Sequence, residues 1–144
     1  MHWLFGMVAR VLIVEDEAVL RKHLVRLFAR EGYEVATAAS CTEALEQLRC
    51  ARFEVLLLDV MLPDGNGLDL LADLHAHQRP HTIVVTACSA ADNAHRICQL
   101  NIGHVLHKPV DLLQIIGAVR LATPEPGRIP QLWSSTEEMA RAIG

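Results

Sequence analysis

A chain of 144 residues with 51% hydrophobic, 21% charged and 4% aromatic residues is one globular domain built on aliphatic side chains, not a disordered or fibrous segment. Thirteen Lys and Arg against seventeen Asp and Glu give a formal charge of −4, which argues against nucleic-acid binding by charge. No apolar run approaches the roughly 20 residues of a membrane span, and the opening MHWLFGM is too short and lacks the basic start of a signal peptide, so a cytoplasmic protein is expected.

Val8–Val14 is an almost continuous apolar run and predicts a strand buried on both faces, β1. Helical periodicity follows over Ala18–Arg30 (α1), with Val19, Leu20, Leu24, Leu27 and Phe28 on one side and Arg21, Lys22 and Arg26 on the other. Gly32 stands where a left-handed cap ends that helix. Glu34–Ala38 predicts β2, and Ser40 or Thr42 can cap a helix over Glu43–Cys50, α2. Phe53–Leu58 (β3) is the most apolar strand and is expected at the centre of the sheet. A loop with Pro63, Gly65 and Gly67 leads into α3, expected over roughly Leu68–His77, and Pro80 breaks the chain before β4 at Thr82–Thr86. Ala90–Leu100 (α4), His104–His107 (β5) and Asp111–Ala122 (α5) complete five βα units. Such alternation implies a parallel sheet with right-handed crossovers.

Residues 8–122 therefore read as one domain. From Thr123 the composition shifts, with Pro124, Pro126, Gly127 and Pro130 close together, which marks 123–144 as a Pro-rich linker and short C-terminal segment. SSTEEMARAI within it suits a capped helical turn or two. The four cysteines, at 41, 50, 88 and 98, form no CxxC pair and read as reduced thiols. His75, His77 and His81 cluster near the end of α3 without metal-motif spacing and read as surface residues.

The chemistry lies at the strand ends. Glu15 and Asp16 follow β1, Asp59 follows β3, Thr86 ends β4 and Lys108-Pro109 follows β5. In a parallel sheet these ends share one edge, where open α/β folds place ligands. Three carboxylates brought together repel one another and become favourable around a hard cation such as Mg²⁺. A lysine beside them supplies a point charge for phosphoryl oxygens, and a threonine supplies a hydroxyl donor. Pro109 favours a cis Lys108–Pro109 bond that directs the lysine. Singly, each residue has a plainer reading: Asp59 as a turn former, Glu15-Asp16-Glu17 as acids at a helix start, Thr86 as a strand former. All of them in order, each at a strand end, point instead to a phosphate switch.

VLIVEDE, LLLDVMLPDGNGLDLL, VVTA and HKP together resemble the receiver domain of two-component response regulators, over roughly Arg10–Leu121. The resemblance implies a flavodoxin-like (βα)5 fold with a five-stranded parallel sheet. It also implies a signalling phosphoacceptor rather than an enzyme acting on external substrates. On matching positions it makes Asp59 the acceptor of a phosphoryl group from a histidine kinase or phosphotransfer protein. Mg²⁺ is then held by Asp16, Asp59 and the carbonyl of Met61, with Glu15 acting largely through water. Thr86 and Lys108 read the phosphorylated state and shift the α4-β5-α5 surface, including Arg96, Ile97, Leu100, His104 and Leu113 or their neighbours.

Some positions depart from the family. Val105 replaces the aromatic three residues before the lysine, so an aromatic rotamer flip cannot accompany the Thr86 shift. Gly103-His104 replaces the usual acidic pair, and with DLLQIIGAVR this lacks the charge pattern of winged-helix dimers, leaving the mode of any phosphorylation-dependent homodimer open. Asn101 takes a position where a helix-ending Gly is usual, and Asn tolerates it. Cys88, two residues after Thr86, is expected to shape access to the phosphate. The chain fits the receiver of a longer transcriptional regulator, a single-domain regulator or a phosphorelay adaptor. An aspartyl-phosphate phosphatase would carry an acid where Met61 stands, and a phosphate-independent scaffold would not need the full set of five site residues.

Overall fold

The computed structural model describes residues 8–75, 79–87 and 90–123. Five parallel strands form one sheet: β1 (Arg10–Val14), β2 (Glu34–Ala38), β3 (Val55–Leu58), β4 (His81–Thr86) and β5 (His104–His107), in the order β2-β1-β3-β4-β5. The helices between them are α1 (Ala18–Arg30), α2 (Cys41–Cys50), α3 (Gly67–Ala72), α4 (Ala90–Gln99) and α5 (Leu112–Ala122). The alternation of periods predicted the parallel sheet, and the family resemblance implied this flavodoxin-like (βα)5 arrangement. β3 is central, as its unbroken apolar run requires, and all four of its residues are buried.

The alternation of strand side chains divides the core in two. Val11, Ile13, Val55, Leu57, Ile83 and Val85 face α1 and α5, where Leu24, Phe28, Ile115 and Val119 meet them. Leu12, Val14, Leu56 and Leu58 face the other way, onto Ala44 and Leu48 of α2 and Leu70 and Leu71 of α3. Each such side chain, fully buried, contributes about 1.5–3 kcal/mol. A third cluster of Val60, Leu68 and Val84 is closed by Ile97, Leu100, Ile102 and Val105.

Several sequence expectations hold in detail. Gly32 (φ 92°) and Asn101 (φ 56°) both take the left-handed conformation, and the Lys108–Pro109 bond is cis. Ser40, rather than Thr42, caps α2, its Oγ accepting from the Glu43 N–H at 3.2 Å. The helix consequently starts at Cys41, two residues before the expected Glu43. β1 and β3 each start two residues later than expected.

α3 ends at Ala72 instead of running toward His77. Leu74 turns inward and is buried, and the Arg79 guanidinium takes its carbonyl at 3.3 Å, a bond a further helical turn would otherwise supply. His77 and Cys88 lie outside the described residues, as does the segment after Thr123. A two-residue antiparallel ladder, Met61–Leu62 with Gly65–Asn66, folds the loop after β3 back on itself and was not foreseen. Among the described residues no helix is long and apolar enough to cross a membrane.

Candidate functional site

β1 runs to β2 on one side and hands over to β3 on the other, so the chain direction diverges at the carboxyl ends of β1 and β3. Ligands of open α/β sheets sit at such a point. The strand ladders continue into the loops there and fix the acids' backbones. The Glu15 N–H donates to the Ala38 carbonyl at 3.0 Å, and the Asp59 N–H donates to the Val14 carbonyl at 3.0 Å.

One oxygen from each of Glu15, Asp16 and Asp59 lies within 4.8 Å of the others. Glu15 and Asp59 are buried and Asp16 is exposed. Lys108 bridges the buried two, its Nζ 2.8 Å from Glu15 Oε1 and 3.0 Å from Asp59 Oδ2. The other oxygen of each is held locally: Glu15 Oε2 accepts from the Glu17 N–H at 3.1 Å, and Asp59 Oδ1 from the Met61 N–H at 3.2 Å. Thr86 is buried at the end of β4, and its carbonyl accepts from the Lys108 N–H at 2.9 Å. The sheet therefore brings all five predicted side chains to one edge, with the lysine and threonine linked through the backbone.

Three carboxylates against one ammonium leave the site short of positive charge. Burial pushes the Glu15 carboxyl above its ordinary range, aided by the charge of Asp59, although the hydrogen bonds from Lys108 and the Glu17 N–H oppose it. Desolvation acts to lower the Lys108 value, but its bonds to Glu15 and Asp59 outweigh this and hold the ammonium above its usual value. The donor set is all oxygen, partly exposed through Asp16 and anionic in excess, and so fits a hard divalent cation such as Mg²⁺.

Four features around the acids escaped the sequence reading. Arg21 donates from Nη1 to the Glu15 carbonyl at 2.8 Å and the Asp16 carbonyl at 3.3 Å, bracing the acidic loop from α1. A basic side chain near a helix start opposes the helix dipole, and that was the available signal. Gly67 packs so closely beneath the Asp59 loop that a Cβ would lie 2.2 Å from the Asp59 carbonyl oxygen. Asp64 accepts from the N–H groups of Cys41 and Thr42 at 2.8 and 3.0 Å, tying the loop to the start of α2. Asn66 caps α3 and donates to Asn93 of α4 at 3.3 Å, while Arg96 of α4 pairs with Asp69 of α3.

On the expected signalling surface, Leu113 is 72% exposed. Ile97 and Leu100 turn partly inward against Val84 and Val105. Cys41, Cys50 and Cys98 are free thiols, and burial raises Cys41 to about 11, helped by Asp64, so it is no thiolate nucleophile.

Comparison with known proteins agrees with this geometry. Residues 11–120 match the family model of the response regulator receiver domain. The chain is 35% identical over 136 residues to the alginate biosynthesis transcriptional regulatory protein AlgB of Pseudomonas putida, covering 93% of this chain and 29% of that protein. It is 35% identical over 112 residues to the TorCAD operon transcriptional regulatory protein TorR of Escherichia coli, covering 76% of this chain and 48% of that one. The chain thus spans less than half the length of either relative. A CheY-like receiver domain protein from Methanospirillum hungatei superimposes with a TM-score of 0.74 at 28% identity, covering 79% of this chain and 92% of the other. The chain belongs to the family of response regulator receiver domains of two-component systems.

Proposed function

We propose that Asp59 accepts a phosphoryl group from the phosphohistidine of a histidine kinase or phosphotransfer protein. A carboxylate oxygen of Asp59 forms the new O–P bond as the N–P bond breaks, and the bonding pair leaves with the imidazole nitrogen. The observation that carries this reading is the Lys108 ammonium set between Glu15 and Asp59, 3.0 Å from the proposed nucleophilic carboxylate, in a cluster of three acids. Asp16, Asp59 and the Met61 carbonyl are the groups that would hold Mg²⁺. When bound, the ion offsets the negative charge of the incoming phosphoryl oxygens.

Glu15 supports the cluster through its bond to Lys108 and, in the family's manner, through water. Lys108 and Thr86 then meet the phosphoryl oxygens. Because the Lys108 N–H is bonded to the Thr86 carbonyl, a shift at either is felt at the ends of both β4 and β5. That displacement biases the α4-β5-α5 surface between two populations.

Two of its relatives are transcriptional regulatory proteins, and we read this chain as the cytoplasmic input half of such a control. On that reading residues 8–122 form the receiver, and the Pro-rich segment from 123 leads to the output. The decisive experiment is phosphorylation by acetyl phosphate with and without Mg²⁺, followed by intact mass, with Asp59→Asn alongside. A phosphate-sized gain is expected in the wild type with Mg²⁺ only, and none in the variant. A gain of equal size in Asp59→Asn would overturn the assignment. Size-exclusion chromatography with beryllofluoride reports whether the activated form dimerises.

A further inference from the structure

Two histidines stand at the opposite end of the sheet from the carboxylates and play no part in phosphoryl transfer. His81 opens β4 and His104 opens β5. Ile83 is the register partner of His104, and His81 lies two residues before Ile83, so both imidazoles project from the same face. His81 Nε2 lies 3.3 Å from His104 Nδ1, with ring centroids 5.5 Å apart and planes tilted by 55°.

We propose that His81 and His104 form a two-nitrogen site for a borderline divalent transition-metal ion, with Zn²⁺ the best geometric match. Zinc bound tetrahedrally at 2.0–2.1 Å from nitrogen needs adjacent donor atoms about 3.3 Å apart. Donors at right angles on an octahedral or square-planar ion would stand nearer, about 2.9 Å apart. The observed separation suits the tetrahedral case, and it is at present the length of a hydrogen bond between the two rings that an ion would replace. His81 is exposed and His104 half-buried, so an ion can enter, and water or an added donor can complete the shell.

The cleft beside His81 is lined by Arg49, Arg52 and Arg79. Their charge disfavours a bare dication and favours an anion among the two added ligands, so the affinity is modest. Imidazole nitrogens and carboxylate oxygens differ in softness, so the two ends of the sheet sort zinc from magnesium.

The test is a titration of the full chain with zinc chloride, in millimolar Mg²⁺ to saturate the carboxylates, followed by imidazole nitrogen NMR. The His81 and His104 signals should move together along one saturating curve. His81→Gln and His104→Gln should each weaken zinc binding about tenfold or more, whereas Asp59→Asn should leave it unchanged. Movement of one imidazole alone in the wild type would overturn the proposal, leaving an imidazole–imidazole hydrogen bond only. So would single variants that bind zinc as the wild type does. Because Asp59 plays no part, a failed phosphorylation assay and a failed zinc titration are separate results.

Discussion

Glu15 is a buried acid that shares one ammonium, Lys108, with Asp59. Burial above all holds its carboxyl above the ordinary 4.5. A raised acid contributes stability that is full below about pH 4.5 and is lost as pH rises through the folded-state value. At neutral pH its ionised form is therefore a net cost, while Lys108, raised above 10.5, keeps its contribution until strongly alkaline pH. Glu15→Gln mimics the protonated acid and leaves Lys108 paired with Asp59. It should raise stability at pH 7 by on the order of 1 kcal/mol, with the gap closing toward pH 4.5. Urea unfolding at both pH values checks this, and a less stable variant at pH 7 would sink it. Gly67 is constrained by space: its absent Cβ would strike the Asp59 carbonyl oxygen at 2.2 Å and Leu58 Cδ1 at 3.0 Å. Gly67→Ala should cost about 1–3 kcal/mol and slow acetyl-phosphate labelling by displacing Asp59. Unchanged labelling would show that the loop moves freely.

At the level of elements, the loop after β3 organises its neighbours. Asp64 holds the first N–H groups of α2, and its carboxyl is lowered to about 2 by the N–H of Cys41 first and of Thr42 second. A depressed acid stabilises above its unfolded value of 3.8, and that stability is lost as pH falls through about 2. Asp64→Ala should therefore lower the unfolding temperature at pH 7, with the difference shrinking toward pH 2. A pH-independent difference would point to lost packing rather than lost capping. The same loop reaches α4 through Asn66 and Asn93, and α3 reaches it through Asp69 and Arg96. Val105, packed against Val84 with Ile97 and Leu100, offers no aromatic ring to swing. Polar ties from loop to α4 stand beside that aliphatic contact, and both join the loop after β3 to the expected output surface.

For the molecule as a whole, a bound cation should act on global stability by mass action. Mg²⁺ at ten times its dissociation constant should add about 1.4 kcal/mol, measured as a shift in the urea midpoint. Asp59→Asn should show a smaller shift. An equal shift in both would place the cation elsewhere. The gathering of the five side chains at one sheet edge and the central place of β3 were legible in the chain because strand ends and apolar runs are marked locally. A strand end is marked where an apolar run stops, and parallel alternation then gathers the ends at one edge. Gly32 and Asn101 were legible for the same reason, since the left-handed conformation belongs to the residue itself. The contacts that escaped are nonlocal. Asp64 reaches back 23 positions to Cys41, and Asn66 reaches forward 27 to Asn93. His81 meets His104 only because of strand register. α3 was overextended because Leu74 continued the apolar period while its carbonyl went to Arg79. Polar side chains carry no periodic signature that names a distant partner.

One ammonium, Lys108, answers to two acids, and its allegiance is divided rather than doubled. Whatever takes the charge off the Asp59 carboxylate, whether a proton or an acyl-phosphate bond, frees that share of the lysine for Glu15 or for the new phosphoryl oxygens. Glu15 therefore senses the chemical state of Asp59 as a change in who owns a common counterion. The ends of β1 and β3 are wired together by that exchange before any helix moves.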